Sequence, residues 1–185
     1  LFLTQVLPYP LDTGAKVRAY YVLRYLAQQH DVTLVSFVRA EDQPEAVAHL
    51  QTFLAAVHTV PMVRSHLHDG LALPTALLQR EPVVIARDRM PAMYKFLGHL
   101  VDDHSFDAVH ADQTSMVQYA LWSAERIERQ YGQSPLRVLD AHNALYLVVQ
   151  RLAQQARQPA LRAFLRWEAG RLEHLLDMYP SGGMT

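Results

Sequence analysis

Short β-branched, apolar runs alternate along this chain with longer segments of helical period, and that alternation restricts the possible folds more than any other feature. A run of four to eight such residues bounded by turn formers reads as a strand, whereas apolar positions recurring every three to four residues read as a helix. Residues 31–38 (DVTLVSFV) give the clearest strand, and residues 1–6, ending before Pro8 and Pro10, give the first. Residues 57–63, 106–111 (FDAVHA) and 136–141 (LRVLDA) supply three more. Between them the period lengthens: Val17, Tyr20, Tyr21, Leu23, Leu26 and Ala27 recur at helical spacing within 15–30, and Pro44 opens a helix over 44–55. Further helices are expected over 65–80, 92–103, 115–130, 144–157 and 159–178, with breaks at Glu81-Pro82 and at the turn 131–135. Strand–helix alternation of this kind predicts a doubly wound, mostly parallel α/β sheet with helices on both faces.

Composition narrows the function classes. The chain has 185 residues, half of them hydrophobic (50%), so one domain over residues 1–178 with a short irregular tail at 179–185 is expected. Seventeen basic residues against 18 acidic ones leave a net charge of -1, which disfavours a polyanion-binding protein held by bulk electrostatics. With no cysteine there is no disulfide framework, thiolate metal site or thiol nucleophile. No apolar stretch reaches the roughly 18 residues that mark a transmembrane helix. The apolar start has no basic segment before it, so the expected location is cytoplasmic. The apolar pattern is already running at Leu1, which suggests a trimmed N-terminus.

In open α/β sheets ligands bind outside the carboxyl ends of the strands. Three loops at such positions carry polar residues. After the first strand comes Tyr9-Pro10-Leu11-Asp12-Thr13-Gly14-Ala15-Lys16-Val17-Arg18. Gly14 lets a ligand approach the backbone, the free N–H groups of the helix start suit an anion, and Arg18 lies one turn inside. Equally, Asp12 or Thr13 is an ordinary N-cap and Gly14 only eases the turn. After the fourth strand, Asp112 and Gln113 are suited to sugar hydroxyls, yet Asp112, Thr114 and Ser115 are also helix-cap residue types, and His110 can be a packed core histidine. After the fifth strand, His142 is placed for hydrogen-bonding or acid–base chemistry, and Asn143 either contacts a ligand or caps the next helix.

Other chemistries find less support. Ten histidines include the pair His66 and His68 and a cluster of Asp107, His110 and Asp112, but neither has the spacing of a catalytic zinc site. No G-x-S-x-G elbow is present. The last helix carries Trp and Leu beside basic residues, as interfacial membrane helices do, but Arg162, Arg166 and Arg171 balance Glu168, Glu173 and Asp177, so a packing role is expected.

Taken together, several segments resemble the N-terminal, acceptor-side domain of family-4-type glycosyltransferases of the GT-B fold. They are the first loop from Pro8 to Arg18, the helix end Leu26-Ala27-Gln28-Gln29-His30 with Asp31-Val32-Thr33-Leu34, the strand ends Phe106–Gln113 and Val138–Asn143, and Arg166-Trp167-Glu168-Ala169-Gly170-Arg171-Leu172. The resemblance covers most of residues 1–176, with 57–103 contributing little. It implies a Rossmann-like half of a GT-B enzyme, a retaining transferase that moves a sugar from a nucleotide diphosphate sugar to a glycan, lipid-linked or small-molecule acceptor. It further implies that His142 contacts the transferring sugar, that Gly14 and Arg18 approach the donor's diphosphate, and that no cofactor or active-site metal is needed. Lipid-linked acceptors would bring such a domain to the inner face of the membrane peripherally. Two departures stand out. The first loop has Gly14-Ala15 where the family usually has two small residues, often Gly-Gly. The chain also stops where the donor-binding domain would begin, so this piece is expected to be inactive in sugar transfer by itself. Two alternatives are a nucleotide-sugar 2-epimerase-like GT-B enzyme, which the lack of further carboxylate–histidine sites at the strand ends disfavours, and a non-catalytic α/β binding module.

Overall fold

A computed structural model describes residues 1–40, 42–63, 66–141 and 145–177. In chain order the elements are β1 (Phe2–Thr4), α1 (Gly14–Leu26), β2 (Thr33–Val38), α2 (Pro44–Gln51), β3 (Ala56–Pro61), α3 (His66–Gln79), α4 (Val83–Arg87), α5 (Pro91–Asp103), β4 (Ala108–Asp112), α6 (Val117–Tyr131), β5 (Leu136–Asp140), α7 (Leu145–Gln155) and α8 (Pro159–Asp177). A short 3₁₀ turn, Thr114–Met116, precedes α6. The chain divides into two compact units, one of Leu1–Val63 with Met90–Asp140, the other of Arg64–Arg89 with Ala141–Thr185.

The first unit holds a five-stranded sheet in the order β3-β2-β1-β4-β5, with every neighbouring pair parallel. The chain steps outward from β1 through β2 to β3, then returns to the other side of β1 for β4 and β5. The strand order therefore reverses between β1 and β4, the position at which open α/β sheets form a binding crevice. Side-chain parity divides the core in two. Phe2 and Leu34 share a register and pack with Tyr20 and Leu23 of α1 and Ala46 and Leu50 of α2. Phe37 has the opposite parity and meets Tyr119 of α6 edge-on, with ring centroids 5.8 Å apart. Met93, Leu97 and Val101 line the buried side of α5. Helices thus cover both faces, as the alternation predicts.

Local chemistry explains the helix ends. The helix expected over 15–30 ends at Leu26, and the polar run Gln28-Gln29-His30 folds back as hydrogen-bonded turns onto Tyr25 and Leu26. Gly132 closes α6 in the left-handed region (φ 68°), its N–H donating to the Glu128 carbonyl at 2.9 Å. That conformation costs glycine little and other residues more.

In the second unit, α7 and α8 pack against each other, as do α3 and α4. The helix expected over 65–80 runs through Pro74, at the cost of one backbone donor. The break expected at Glu81-Pro82 is present: α3 ends at Gln79, and Pro82 then serves as the N-cap residue from which α4 starts. The segment Arg166–Leu172 joins the helices of this unit. Glu168, 6% exposed, accepts from the Val83 N–H at 2.6 Å and so satisfies an orphan donor of α4. Arg171 donates to the Ala76 carbonyl of α3 at 3.2 Å and lies 4.1 Å from the centroid of the Trp167 ring. Arg89 bonds both Gln79 and Glu81.

Candidate functional site

A row of polar side chains crosses the carboxyl edge of the sheet at one register level. Thr4 of β1 lies opposite Ser36 of β2 on one side and Asp112 of β4 on the other, and Asp112 lies opposite Asp140 of β5. Positions directly opposite in a parallel sheet point to the same face, so these four share a side with Phe2 and α1. Thr4, Ser36 and Asp112 are each 1% exposed or less. The Ser36 hydroxyl donates to the Phe37 carbonyl at 2.9 Å. The Thr4 hydroxyl, like that of Ser115 three residues beyond Asp112, meets no hydrogen-bond partner among the described residues.

Arg18 completes the row from above. Its Nε donates to Asp140 Oδ2 at 2.8 Å and its Nη2 to Oδ1 at 3.0 Å, a two-pronged pair between α1 and β5. The carboxylate is mostly covered (13% exposed) and the guanidinium half open (53%). Asp140 in turn acts on Asp112. Burial, reinforced by the Asp140 charge and opposed by Arg18, pushes the Asp112 carboxyl up to about 7. At neutral pH that carboxyl exists in both forms, so it can donate a hydrogen bond as well as accept one. His110, two residues earlier on the same face, stacks on Phe2 with ring centroids 4.2 Å apart, and burial lowers its pKa to about 4. It is a packed, neutral core histidine.

Two backbone features frame the row. Gly14 opens α1, whose N-cap Thr13 accepts from the Lys16 N–H at 3.4 Å, while Asp12 pairs with Lys16 at 3.0 Å. A side chain at position 14 would meet nothing within 4 Å, so packing does not explain the glycine. Gln113 follows Asp112 with φ 84° and ψ 152°, a region that is essentially glycine's own and costs about 1–3 kcal/mol. Its N–H donates to the Asp140 carbonyl at 3.1 Å and its carbonyl accepts from Met116 N–H at 3.1 Å, which pins the strained residue in place.

Of the residues the sequence singles out, Gly14, Arg18, Asp112 and Gln113 therefore belong to the unit that carries the row, and Arg18 reaches Asp112's neighbour across it. His142 and Asn143 lie outside the described residues. Sequence reasoning passed over Thr4 and the role of Asp140. The available signal was position, since each is the last residue of its strand, as Asp112 is. A shallow depression of about 310 Å³ lies elsewhere, over Arg126, Arg129 and Gln130 late in α6, where Arg126 is already engaged by Asp102 at 2.7 and 2.6 Å. Among the described residues no three metal-capable side chains converge.

The chain matches no family model, no curated protein and no solved structure. Any functional reading therefore rests on the residues and their arrangement.

Proposed function

We propose that the chain is the acceptor-side domain of a retaining glycosyltransferase, taking part in the transfer of a sugar from a nucleotide diphosphate sugar to a hydroxyl acceptor. The observation that carries this reading is the Thr4–Asp112–Asp140 row at the β1/β4 reversal, with Arg18 above it. A row of one hydroxyl and two carboxyls, one able to donate and accept at neutral pH, suits a polyhydroxy ligand. The open backbone at Gly14 and the half-exposed Arg18 guanidinium suit the diphosphate that leaves. By resemblance, His142 hydrogen-bonds the sugar as positive charge develops at its anomeric carbon, a contact whose loss typically costs about 2–4 kcal/mol. The paired domain that would grip the nucleotide is part of this proposal, and no cofactor is.

Thermal unfolding of the 185-residue chain tests the binding half of the reading. A ligand at 100 times its Kd stabilises the native state by about 2.7 kcal/mol. Uridine, guanosine and adenosine diphosphate sugars and simple oligosaccharides should include at least one that raises Tm in the parent and not in Arg18→Ala or Asp112→Ala. No shift with any of them would remove ligand binding from this domain by itself and leave turnover of the complete protein, through His142→Ala, to decide the reading.

A second reading, a non-catalytic α/β binding module, is favoured by one observation. Arg18 and Thr13 are already satisfied within the protein, by Asp140 and Lys16. In the complete protein, His142→Ala separates the two: turnover collapses if the first reading holds.

A further inference from the structure

We infer that Asp140 is a positioning residue, holding Arg18 by one edge of its guanidinium so that the opposite edge is presented to a phosphoryl group. The inference rests on the reading above that this site takes a diphosphate. A guanidinium carries two pairs of parallel N–H groups in a fixed plane, Nε with Nη2 along its side and Nη1 with Nη2 across its end. Asp140 takes the side pair, from Nε at 2.8 Å and from Nη2 at 3.0 Å. Nη1 donates to no acceptor among the described residues, and the Arg18 side chain is 53% exposed. The ion pair therefore leaves the end of the fork open, and that end matches two oxygens on one phosphorus.

The carboxylate is the fixed member of the pair. Asp140 closes β5 opposite Asp112 of β4, its carbonyl accepts the Gln113 N–H at 3.1 Å, and its side chain is mostly covered. Arg18 instead projects from α1 on a long stem, and ordering such a side chain at the moment of binding costs affinity. Asp140 is the one side chain that holds this guanidinium among the described residues. With the plane already set in the free protein, the ordering cost is met before a ligand arrives. The pairing of Arg18 with Asp140 thus prepares the cation for an anion rather than using it up.

Isothermal titration calorimetry of the 185-residue chain with inorganic pyrophosphate tests the inference. Asp140→Asn should weaken binding about three- to tenfold, the cost of ordering one long side chain on binding. Asp140→Glu keeps the charge but displaces the carboxylate by a methylene, and it should weaken binding as well. If Asp140 merely competed with the anion for Arg18, Asp140→Asn would tighten binding and Asp140→Glu would leave it unchanged. Either result overturns the inference while the diphosphate reading stands, because pyrophosphate still binds. Circular dichroism checks the fold, and should Asp140→Asn misfold, Asp140→Glu decides. Nitrogen-15 NMR adds a readout that a purely structural pair would not move. In the pyrophosphate complex the Arg18 Nε–H signal should hold its position while the Nη signals shift. Loss of the Nε–H bond on binding would mean that the anion displaces Asp140, which overturns the inference, as does pyrophosphate binding that Arg18→Ala leaves unaltered. No binding by the parent overturns it too, and His142→Ala turnover then decides the broader reading separately.

Discussion

Arg18 and Asp140 stand 122 positions apart in sequence, yet each nitrogen of the guanidinium fork used meets its own carboxylate oxygen, at 2.8 and 3.0 Å. The pair ties the first helix to the last strand across the β1/β4 reversal. It also sets the electrostatics of the row beneath it, because Arg18 stabilises the ionised form of Asp112 while Asp140 opposes it.

Arg18→Ala should therefore change the site more than the fold. Half-exposed ion pairs contribute about 0.2–1 kcal/mol, so urea unfolding should show a loss within that range. With this cation removed, Asp112 should titrate higher than in the parent, readable by carboxyl-carbon NMR. Arg18→Lys should restore the charge but not the two-pronged geometry, leaving Asp112 between parent and Ala variant.

Two groups of the sheet contribute to the pH dependence of stability with opposite signs. Asp112 titrates near 7 in the folded protein and about 3.9 unfolded, so between those values the native state holds the extra proton and stability falls as pH rises. His110 titrates near 4 folded and about 6.5 unfolded, so in that window the unfolded state holds the extra proton and stability rises with pH. The two largely cancel from about pH 4 to 6.5. Asp112→Asn should unmask a stability that climbs with pH across that window. His110→Phe, which keeps the stack on Phe2, should remove the contribution that rises from about pH 4 to 6.5, so its curve falls relative to the parent's across that window. Denaturant titrations at a series of pH values check both, and two parallel curves would refute the assignment.

How much of this was legible in the sequence depended on range. The strand at residues 31–38 reads directly because its β-branched run is long, and β2 occupies Thr33–Val38 within it. Residues 1–6 yield only the three-residue β1, since its partners, β2 and β4, register just at Phe2–Thr4. The five-residue α4 is too short to display a period, so only the break before it at Glu81-Pro82 shows in the sequence. The candidate site was half visible. Gly14, Arg18, Asp112 and Gln113 lie in loops or strand ends that announce themselves locally. That Thr4, Asp112 and Asp140 form a row is a matter of register, which no local pattern encodes.

Gln113 carries strain that glycine would not. Gln113→Gly should raise stability by about 0.5–2 kcal/mol, the backbone strain relieved less the extra unfolded-state entropy of glycine. Strain at a strand end beside two carboxyls is also a mark of a working position. If the Gln113 amide contacts ligand, the same variant should lose the Tm increase given by the best nucleotide sugar while gaining stability without it. A variant that is destabilised would show that the amide side chain contributes more to the fold than the strain removes.

Thr4 offers the sharpest test of whether the row is built for a ligand. Its hydroxyl is wholly buried and unpartnered among the described residues, which costs about 1–3 kcal/mol in a protein that has no use for it. Thr4→Val keeps the shape and removes the hydroxyl, so the free protein should gain on the order of 1 kcal/mol in urea unfolding. Ligand binding should weaken by a similar amount, roughly fivefold in Kd, if the hydroxyl hydrogen-bonds the bound group. Stability and affinity moving in opposite directions on one substitution would place the ligand at Thr4. A gain in stability with affinity unchanged would remove Thr4 from the site and leave Asp112 and Arg18 as its centre.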